Sequence, residues 1–233
     1  MNKLFCVIPA AGIGARMQSD IPKQYLSVEG RSVIEHSILK ILTVTQVQQV
    51  IVALHKNDNY FSQLPIARHP KVKTVVGGSK RQQSVLNAVC SIQDRKSWVL
   101  VHDAVRPCVS AADIKKLINK AFAANTGAIL VTPVVNTIKL ADADDCVSKT
   151  LARSQLRQAL TPQLFDKDLL QAALLEGEKQ KIEFTDEAAA IEFAGYRVIL
   201  VDSDPCNIKL TTKNDLYMLQ HILQKQKVVN CLE

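Results

Sequence analysis

Short apolar runs rich in β-branched residues alternate with helical patterns along the whole chain, and this alternation restricts the possible folds more than any other feature. The runs are continuously apolar, which is typical of strands in a parallel sheet with both faces buried. They cover residues 4–8, 49–54, 73–76, 98–102, 128–133 and 197–201. The sequence therefore predicts an α/β fold, with a Rossmann-like, mostly parallel sheet flanked by helices.

Several helix starts are marked by a Ser or Thr followed three residues later by an acid, a pair that can satisfy the free amides of a helix N-terminus. The pairs are Ser32 with Glu35, Ser110 with Asp113, and Thr212 with Asp215. They predict helices over residues Val33–Leu42, Ala111–Ala124 and 213–224. Because 233 residues with 47% hydrophobic content suit one large core, we expect a single domain over residues 1–233.

Residues 137–153 interrupt the alternation. Their sequence, TIKLADADDCVSKTLAR, has two partly alternating stretches around an acidic turn and too few apolar residues for core strands. We interpret it as a projecting β-hairpin arm. Since an isolated two-stranded hairpin has little to stabilise it, we expect the arm to pack on a second subunit of a homodimer. The alternative is a surface excursion without fixed structure.

Composition limits the possible partners. Lys and Arg exceed Asp and Glu by 29 − 22 = 7, which favours anionic partners in general. The basic residues are dispersed and aromatics are only 5%, so we expect no nucleic-acid partner. No apolar stretch is long enough to span a membrane, and the six cysteines lack CxxC spacing. These features favour a cytoplasmic enzyme with reduced thiols and no membrane partner.

The first apolar run leads into a glycine turn, PAAGIGARM, over residues 9–17. Gly12 and Gly14 would let the backbone approach phosphate oxygens closely and point its amides at them. A dinucleotide fingerprint is disfavoured, because Met17 stands in the place of its third glycine and no acid follows the second strand. A Walker A loop is excluded by the lack of Gly-Lys-Ser/Thr.

Two cations follow this turn, Arg16 and then Lys23 behind Pro22. Negative charge grows on the oxygens of a phosphorus under attack and on a leaving pyrophosphate, and these cations could stabilise it. A solvated lysine is the alternative for Lys23. With the glycine turn, the pair predicts a loop that grips a nucleoside triphosphate.

Two further segments extend this site. Asp103 follows the run 98–102, at the strand end where α/β proteins bind ligands, and its carboxylate could hold Mg²⁺. A capping aspartate is the alternative. In GGSKRQQS, residues 77–84, a glycine turn enters a helix whose amides and Ser84 hydroxyl could contact a base edge. Its alternative is an ordinary glycine connection.

The motifs together resemble one family over essentially the whole chain. PAAGIGARM, IPKQYL, GGSKRQQSV, VHDAVRP, ALTPQLF, FTDEAAA and NIKLT occur in the order found in the 2-C-methyl-D-erythritol 4-phosphate cytidylyltransferases of the non-mevalonate isoprenoid pathway. The resemblance implies that CTP and 2-C-methyl-D-erythritol 4-phosphate give 4-diphosphocytidyl-2-C-methyl-D-erythritol and pyrophosphate, with Mg²⁺. A cytidylyltransferase acting on ribitol 5-phosphate is the nearest alternative.

The resemblance also implies residue roles. The catalytic residues would be Arg16, Lys23, Arg153 and Lys209, with Asp103 as the metal ligand. The substrate-binding residues would be Ala10, Ala11, Gly12, Gly14, Gly78, Arg81, Ser84, Asp103, Arg106 and Thr137. The acceptor phosphate would meet Lys209, Thr137 and Arg153. Because the arms of this family interlock, Thr137 and Arg153 would serve the partner's site.

Overall fold

The structure is a computed structural model that describes residues 3–12 and 21–230, with side chains up to residue 226. The strands are β1 (Lys3–Pro9), β2 (Ser27–Val28), β3 (Arg31–Ser32), β4 (Val47–Leu54), β5 (Val72–Val76), β6 (Ser97–Val101), β7 (Ala128–Pro133), β8 (Ile138–Ala141), β9 (Val147–Leu151), β10 (Arg157–Asp166) and β11 (Ile199–Asp202). The helices are α1 (Val33–Leu42), α2 (Arg81–Cys90), α3 (Ala111–Ala124), α4 (Lys167–Lys179), α5 (Glu187–Phe193) and α6 (Lys213–Asn230).

A seven-stranded sheet in the order β11-β7-β10-β6-β1-β4-β5 forms the centre of the fold. Its strand pairs are parallel except where β10 runs antiparallel to β6 and β7. Each of the six apolar runs forms one of these strands, with ends that agree to within two residues. The predicted α/β fold with a mostly parallel sheet is therefore confirmed.

Alternation along each strand divides the core into two layers. In β1, Leu4 and Ile8 face the layer built with α1 and α3, while Phe5 and Val7 face the layer built with α2, α4 and α5. All four side chains are buried. Burying such a side chain stabilises the fold by roughly 1.5–3 kcal/mol, so β1 is fixed from both faces and so is the turn that follows it.

Strand β10 has no counterpart among the predicted strands. Pro162 interrupts it and removes a backbone donor from the ladder, and a proline within a run argues against a central strand. The structure accommodates the proline by a shift in the pairing of β10 with β7 between Ala159 and Gln163. The strand is central in the sheet despite its proline.

The predicted helix starts are confirmed, with one difference in detail. Ser32 and Glu35 form a reciprocal capping box at α1, and the Ser110 hydroxyl accepts from the Asp113 amide at α3. At α6 it is the carboxylate of Asp215 that accepts, from the amides of residues 211 and 212. The acid therefore caps this helix rather than the hydroxyl of Thr212.

The predicted arm is a separate antiparallel ribbon in which β8 pairs with β9. Most of its side chains are exposed in the single chain. Across residues 3–12 and 21–230, no helix combines the length and the apolar character needed to cross a bilayer.

Candidate active site

A cavity of about 350 Å³ opens at the carboxyl end of the parallel strands. The turns after β1, β5 and β6 form its walls, because parallel strands bring their carboxyl ends to one edge of the sheet. Nine of the residues predicted from the sequence line it: Ala10, Ala11, Gly12, Lys23, Gly78, Arg81, Ser84, Asp103 and Lys209. Two others, Gly14 and Arg16, lie outside the described residues.

The turn after β1 is held by a glutamine that the sequence analysis did not single out. Gln24 is buried, and its side-chain amide donates to the carbonyls of Ala10 and Gly12 at 2.9 and 3.0 Å. The Ala10 amide donates to the carbonyl of Ala53 in β4 at 2.8 Å. Gln24 directly follows Lys23, so the segment that carries the lysine also fixes the glycine turn. The sequence signal for this role is that Gln24 belongs to the IPKQYL motif.

Lys23 joins the two sides of the cavity. It begins a short 3₁₀ turn after Pro22, and its ammonium donates to the carbonyl of Leu210 at 2.8 Å. Leu210 follows Lys209 directly. The contact therefore places the Lys23 ammonium between the glycine turn and the segment that carries Lys209.

The second glycine segment packs too closely for side chains. The Gly77 amide donates to the carbonyl of Leu54, and a Cβ at Gly77 would lie 2.7 Å from the Cβ of Ala11. A Cβ at Gly78 would lie 2.3 Å from the Cβ of Gln83. Both distances are far below ordinary contact. The turn after β1 can therefore lie this close to the second turn only with a glycine at position 77, and α2 leaves no room for a side chain at position 78.

Ser84 holds this segment through its hydroxyl. The hydroxyl accepts from the Gly78 amide at 3.1 Å and donates to the carbonyl of Lys80 at 3.1 Å. Ser84 is buried although it lines the cavity. The Ser84 hydroxyl hydrogen is therefore engaged by the carbonyl of Lys80, and the side chain stabilises the shape of the loop that lines the cavity.

Asp103 is the electrostatic centre of the site. Its Oδ1 accepts from Nε and Nη2 of Arg81 at 3.3 and 3.2 Å, and its Oδ2 accepts from Lys209 Nζ at 2.9 Å and Arg106 Nε at 3.3 Å. Burial by itself would raise the pKa of the Asp103 carboxyl, but these three cations outweigh it and hold the pKa far below its usual range. Asp103 therefore stays ionised.

Arg81 also forms a fork with a second buried carboxylate, Glu187. Nη1 and Nη2 of Arg81 donate to the two oxygens of Glu187 at 2.6 and 3.0 Å. Glu187 is only 1% exposed and lies in the first turn of α5. It belongs to the FTDEAAA motif, but nothing local in the sequence pairs it with an arginine 106 positions earlier.

His102 fixes the turn that carries Asp103. Its Nε2 faces the carbonyl of Arg106 at 3.0 Å, so Nε2 carries the hydrogen, and Nδ1 accepts from the Thr161 hydroxyl at 3.1 Å. The Thr161 oxygen accepts in turn from the Asp103 amide at 3.0 Å. Burial lowers the pKa of His102 to about 4, so the ring is neutral.

A second cavity, of about 560 Å³, lies at the base of the arm and shares Lys209 with the first. Arg106 lines it, and its Nη1 donates to the carbonyl of Asn207 at 2.8 Å. Thr137 and Arg153 are exposed on the arm and are not among the described residues that line either cavity. Arg153 instead donates to the carbonyl of Val135 at 2.6 Å. One chain alone does not bring these two arm residues to Asp103.

Comparison with known proteins decides the family. A sequence model described as 2-C-methyl-D-erythritol 4-phosphate cytidylyltransferase matches residues 4–225. The chain belongs to this cytidylyltransferase family. The resemblance drawn from the seven motifs is thereby confirmed, and with it the assignment of the chain as a nucleotidyltransferase.

Individual cytidylyltransferases match over nearly their whole length. The 2-C-methyl-D-erythritol 4-phosphate cytidylyltransferase of Haemophilus influenzae (strain PittGG) is 46% identical over 227 residues, which are 97% of this chain and 99% of that protein. The enzyme of the same name from Vibrio vulnificus (strain YJ016) is 44% identical over 230 residues, 97% of each chain. The crystal structure of the Francisella tularensis enzyme superposes with a TM-score of 0.82 at 34% identity, covering 95% of this chain and all of that one.

Proposed function

We propose that this chain transfers CMP from CTP to 2-C-methyl-D-erythritol 4-phosphate in the cytoplasm, giving 4-diphosphocytidyl-2-C-methyl-D-erythritol and pyrophosphate for non-mevalonate isoprenoid synthesis. Membership in the cytidylyltransferase family supports the reaction. The observation that carries the proposal in the structure is the contact of Lys23 with the segment of Lys209, beside two glycine turns. This contact connects the glycine turns, which we assign to the nucleotide, with the segment of Lys209, which we assign to the acceptor.

The reaction needs no nucleophile from the protein. An oxygen of the acceptor phosphate forms a bond to the α-phosphorus of CTP, and the bond from that phosphorus to the leaving pyrophosphate breaks in line. The enzyme has to position both substrates and offset the charge that develops. We assign the charge stabilisation to Lys23 and Arg16.

The nucleotide side of the cavity is assigned to the glycine turns and the start of α2. Their backbone amides suit the oxygens of a triphosphate, because a glycine turn leaves room for close approach. The proposed contacts to CTP come from Ala10, Ala11, Gly12, Gly14, Gly78, Arg81 and Ser84.

The acceptor side is assigned to Lys209 and Arg106, together with Thr137 and Arg153 from the arm of a second copy. The exposed position of both arm residues supports their use by a partner. Apolar side chains are exposed on the arm, Leu140 by 50% and Val147 by 65%, and on the segment that leads into it, Val135 by 75%. Burial of these side chains would stabilise a homodimer. We accordingly assign residues 1–233 to one domain, with residues 137–153 as its dimerisation arm.

Magnesium is the metal that we propose for the site, with Asp103 as its protein ligand. Within the described residues, no group of three or more His, Cys, Asp or Glu side chains is arranged to hold a metal ion. Mg²⁺ that is held mainly by triphosphate oxygens and water needs only one carboxylate from the protein, and the bound triphosphate would offset the repulsion from the cations around Asp103. When bound, the ion would neutralise triphosphate charge. Lys209 is the most exposed of the three cations on Asp103, at 37% of its side chain, and is therefore the best placed of the three to turn towards substrate.

Pyrophosphate release from CTP tests the proposed function directly. We expect release with 2-C-methyl-D-erythritol 4-phosphate, little with ribitol 5-phosphate, and little when ATP, GTP or UTP replaces CTP. Turnover only with ribitol 5-phosphate would overturn the acceptor assignment while leaving the cytidylyl transfer intact. Protection from thermal unfolding by NAD(P), with no consumption of CTP, would overturn the reaction itself.

A further inference from the structure

We propose that Glu187 is a positioning residue for the transfer reaction, because it fixes Arg81 and through it the carboxylate of Asp103. The inference rests on the proposed function. Glu187 lies in α5, Arg81 begins α2, and Asp103 follows β6. One guanidinium therefore connects three elements around the cavity.

The number of N–H groups on Arg81 limits how many partners it can bind. A guanidinium has five N–H groups. Two of those in Arg81 point to Asp103 and two to the oxygens of Glu187. One N–H is left for a nucleotide, so Arg81 serves mainly as a bridge between the two carboxylates. Its direction depends on both ends of that bridge.

The two ends of the bridge are not equivalent. Asp103 has Lys209 and Arg106 as further partners and keeps its charge compensated without Arg81. Within the described residues, both hydrogen bonds to the Glu187 carboxylate come from Arg81. A fork of two parallel N–H···O bonds fixes the plane of a guanidinium as well as its distance. Glu187 is thus the group that orients Arg81.

Burial and geometry argue against a direct chemical role for Glu187. The residue is 1% exposed and is not among those that line the cavity. Substrate would reach it only by displacing Arg81. The effect of Glu187 on the reaction therefore passes through Arg81 to Asp103, and from Asp103 to Lys209 on the acceptor side.

The test compares Glu187→Gln with Glu183→Gln by steady-state kinetics. Glutamine has the shape of glutamate, but it accepts at one end of the fork and presents an NH₂ group at the other. We expect kcat to fall roughly tenfold or more, since small misplacements around a reacting centre are amplified in the rate. Glu183 is the matched control, because it pairs with Lys80 at 2.5 Å and both side chains are more than half exposed. Loss of this exposed ion pair in Glu183→Gln should leave kcat near the wild-type value.

A double variant separates positioning from plain stability. Arg81→Lys keeps the charge but cannot bridge two carboxylates. If Glu187 acts through Arg81, then adding Glu187→Gln to Arg81→Lys lowers kcat no further. If the two substitutions lower kcat independently, so that their effects multiply in the double variant, the proposal is overturned. It is also overturned if Glu187→Gln has a lower unfolding temperature but a wild-type kcat. If Glu187→Gln does not fold, Glu187→Asp gives the same test by withdrawing the carboxylate by one methylene.

The wild-type assay distinguishes the two proposals. Pyrophosphate release by the wild type and by Glu187→Gln at equal rates overturns the positioning role and leaves the proposed function standing. No release by the wild type overturns both.

Discussion

Lys23 lies where the turn after β1 meets the segment that carries Lys209, and its position follows from its neighbours. Gln24 ties the same short turn to the carbonyls of Ala10 and Gly12, while the Lys23 ammonium reaches the carbonyl of Leu210. A carbonyl is a weak partner for an ammonium compared with a phosphate oxygen. We therefore expect a substrate phosphate to draw the Lys23 ammonium away from the Leu210 carbonyl.

Replacing Lys23 by alanine should lower kcat by roughly 10²-fold, the scale of losing one donor to charge in a transition state. The KM for CTP should change less, because the charge develops during the reaction. Lys71→Ala is the matched control, since Lys71 also donates to a backbone carbonyl at 2.8 Å, that of Val47 at the amino end of β4. An unchanged kcat in Lys23→Ala, or an equal loss in Lys71→Ala, would contradict the role.

His102 gives a prediction about stability and pH. Burial lowers its pKa from the ordinary 6.5 to about 4, so between these values the unfolded chain binds a proton that the folded chain does not. Stability therefore falls as pH drops through this window, by up to about 3 kcal/mol from this one group. Urea denaturation of wild type and His102→Gln across the window should yield a shallower fall in the variant. His55→Gln, at an exposed histidine, should follow the wild type, and parallel curves for all three would refute the assignment.

Among the elements, the turn from β5 into α2 is shaped by close contact rather than by side-chain chemistry. Gly78→Ala would place a Cβ 2.3 Å from the Cβ of Gln83, so the turn or the first part of α2 must shift. The Gly78 amide would then leave the Ser84 hydroxyl. We expect the KM for CTP to rise roughly tenfold, which corresponds to about 1.4 kcal/mol of binding free energy, while the KM for the acceptor stays near wild type.

A second substitution checks the cause. Gln83→Gly removes the Cβ that the new methyl group would meet, so the double variant Gly78→Ala/Gln83→Gly should regain part of the CTP affinity. Gln83→Gly alone serves as the control for the roughly 1 kcal/mol that glycine costs a helix. The clash is the wrong explanation if the KM for CTP in the double variant equals the product of the two single effects.

The elements also separate what the sequence can predict from what it cannot. The apolar runs predict the parallel strands because burial on both faces leaves a local mark, whereas β10 was missed because Pro162 hides it. Lys23 and Asp103 could be predicted to lie at one cavity because each has a local signal, a glycine turn for Lys23 and a strand end for Asp103. Glu187 and His102 act through partners distant in sequence, and such pairing becomes visible only when the elements are packed.

For the whole molecule, the main consequence is that one chain holds only part of the proposed site. Lys23, Asp103 and Lys209 meet at the carboxyl end of the sheet, while Thr137 and Arg153 lie on an exposed ribbon. The ribbon is too small to bury its own apolar side chains. Association of two copies would bury the apolar side chains of the ribbon. It would also bring Arg153 of one copy to the acceptor phosphate in the site of the other.

This arrangement predicts complementation between two impaired variants. Arg153→Ala should raise the KM for the acceptor and leave CTP binding intact, because Arg153 would meet only the acceptor phosphate.

If the arm crosses to the partner, a mixed dimer of Arg153→Ala with Lys23→Ala has both substitutions in one site and neither in the other. Mixtures should then recover up to about a quarter of wild-type activity, since half of the dimers are mixed under random exchange and each has one complete site of two. Mass spectrometry of one isotope-labelled variant would verify exchange, and mixed dimers without recovered activity would mean that each arm serves its own chain.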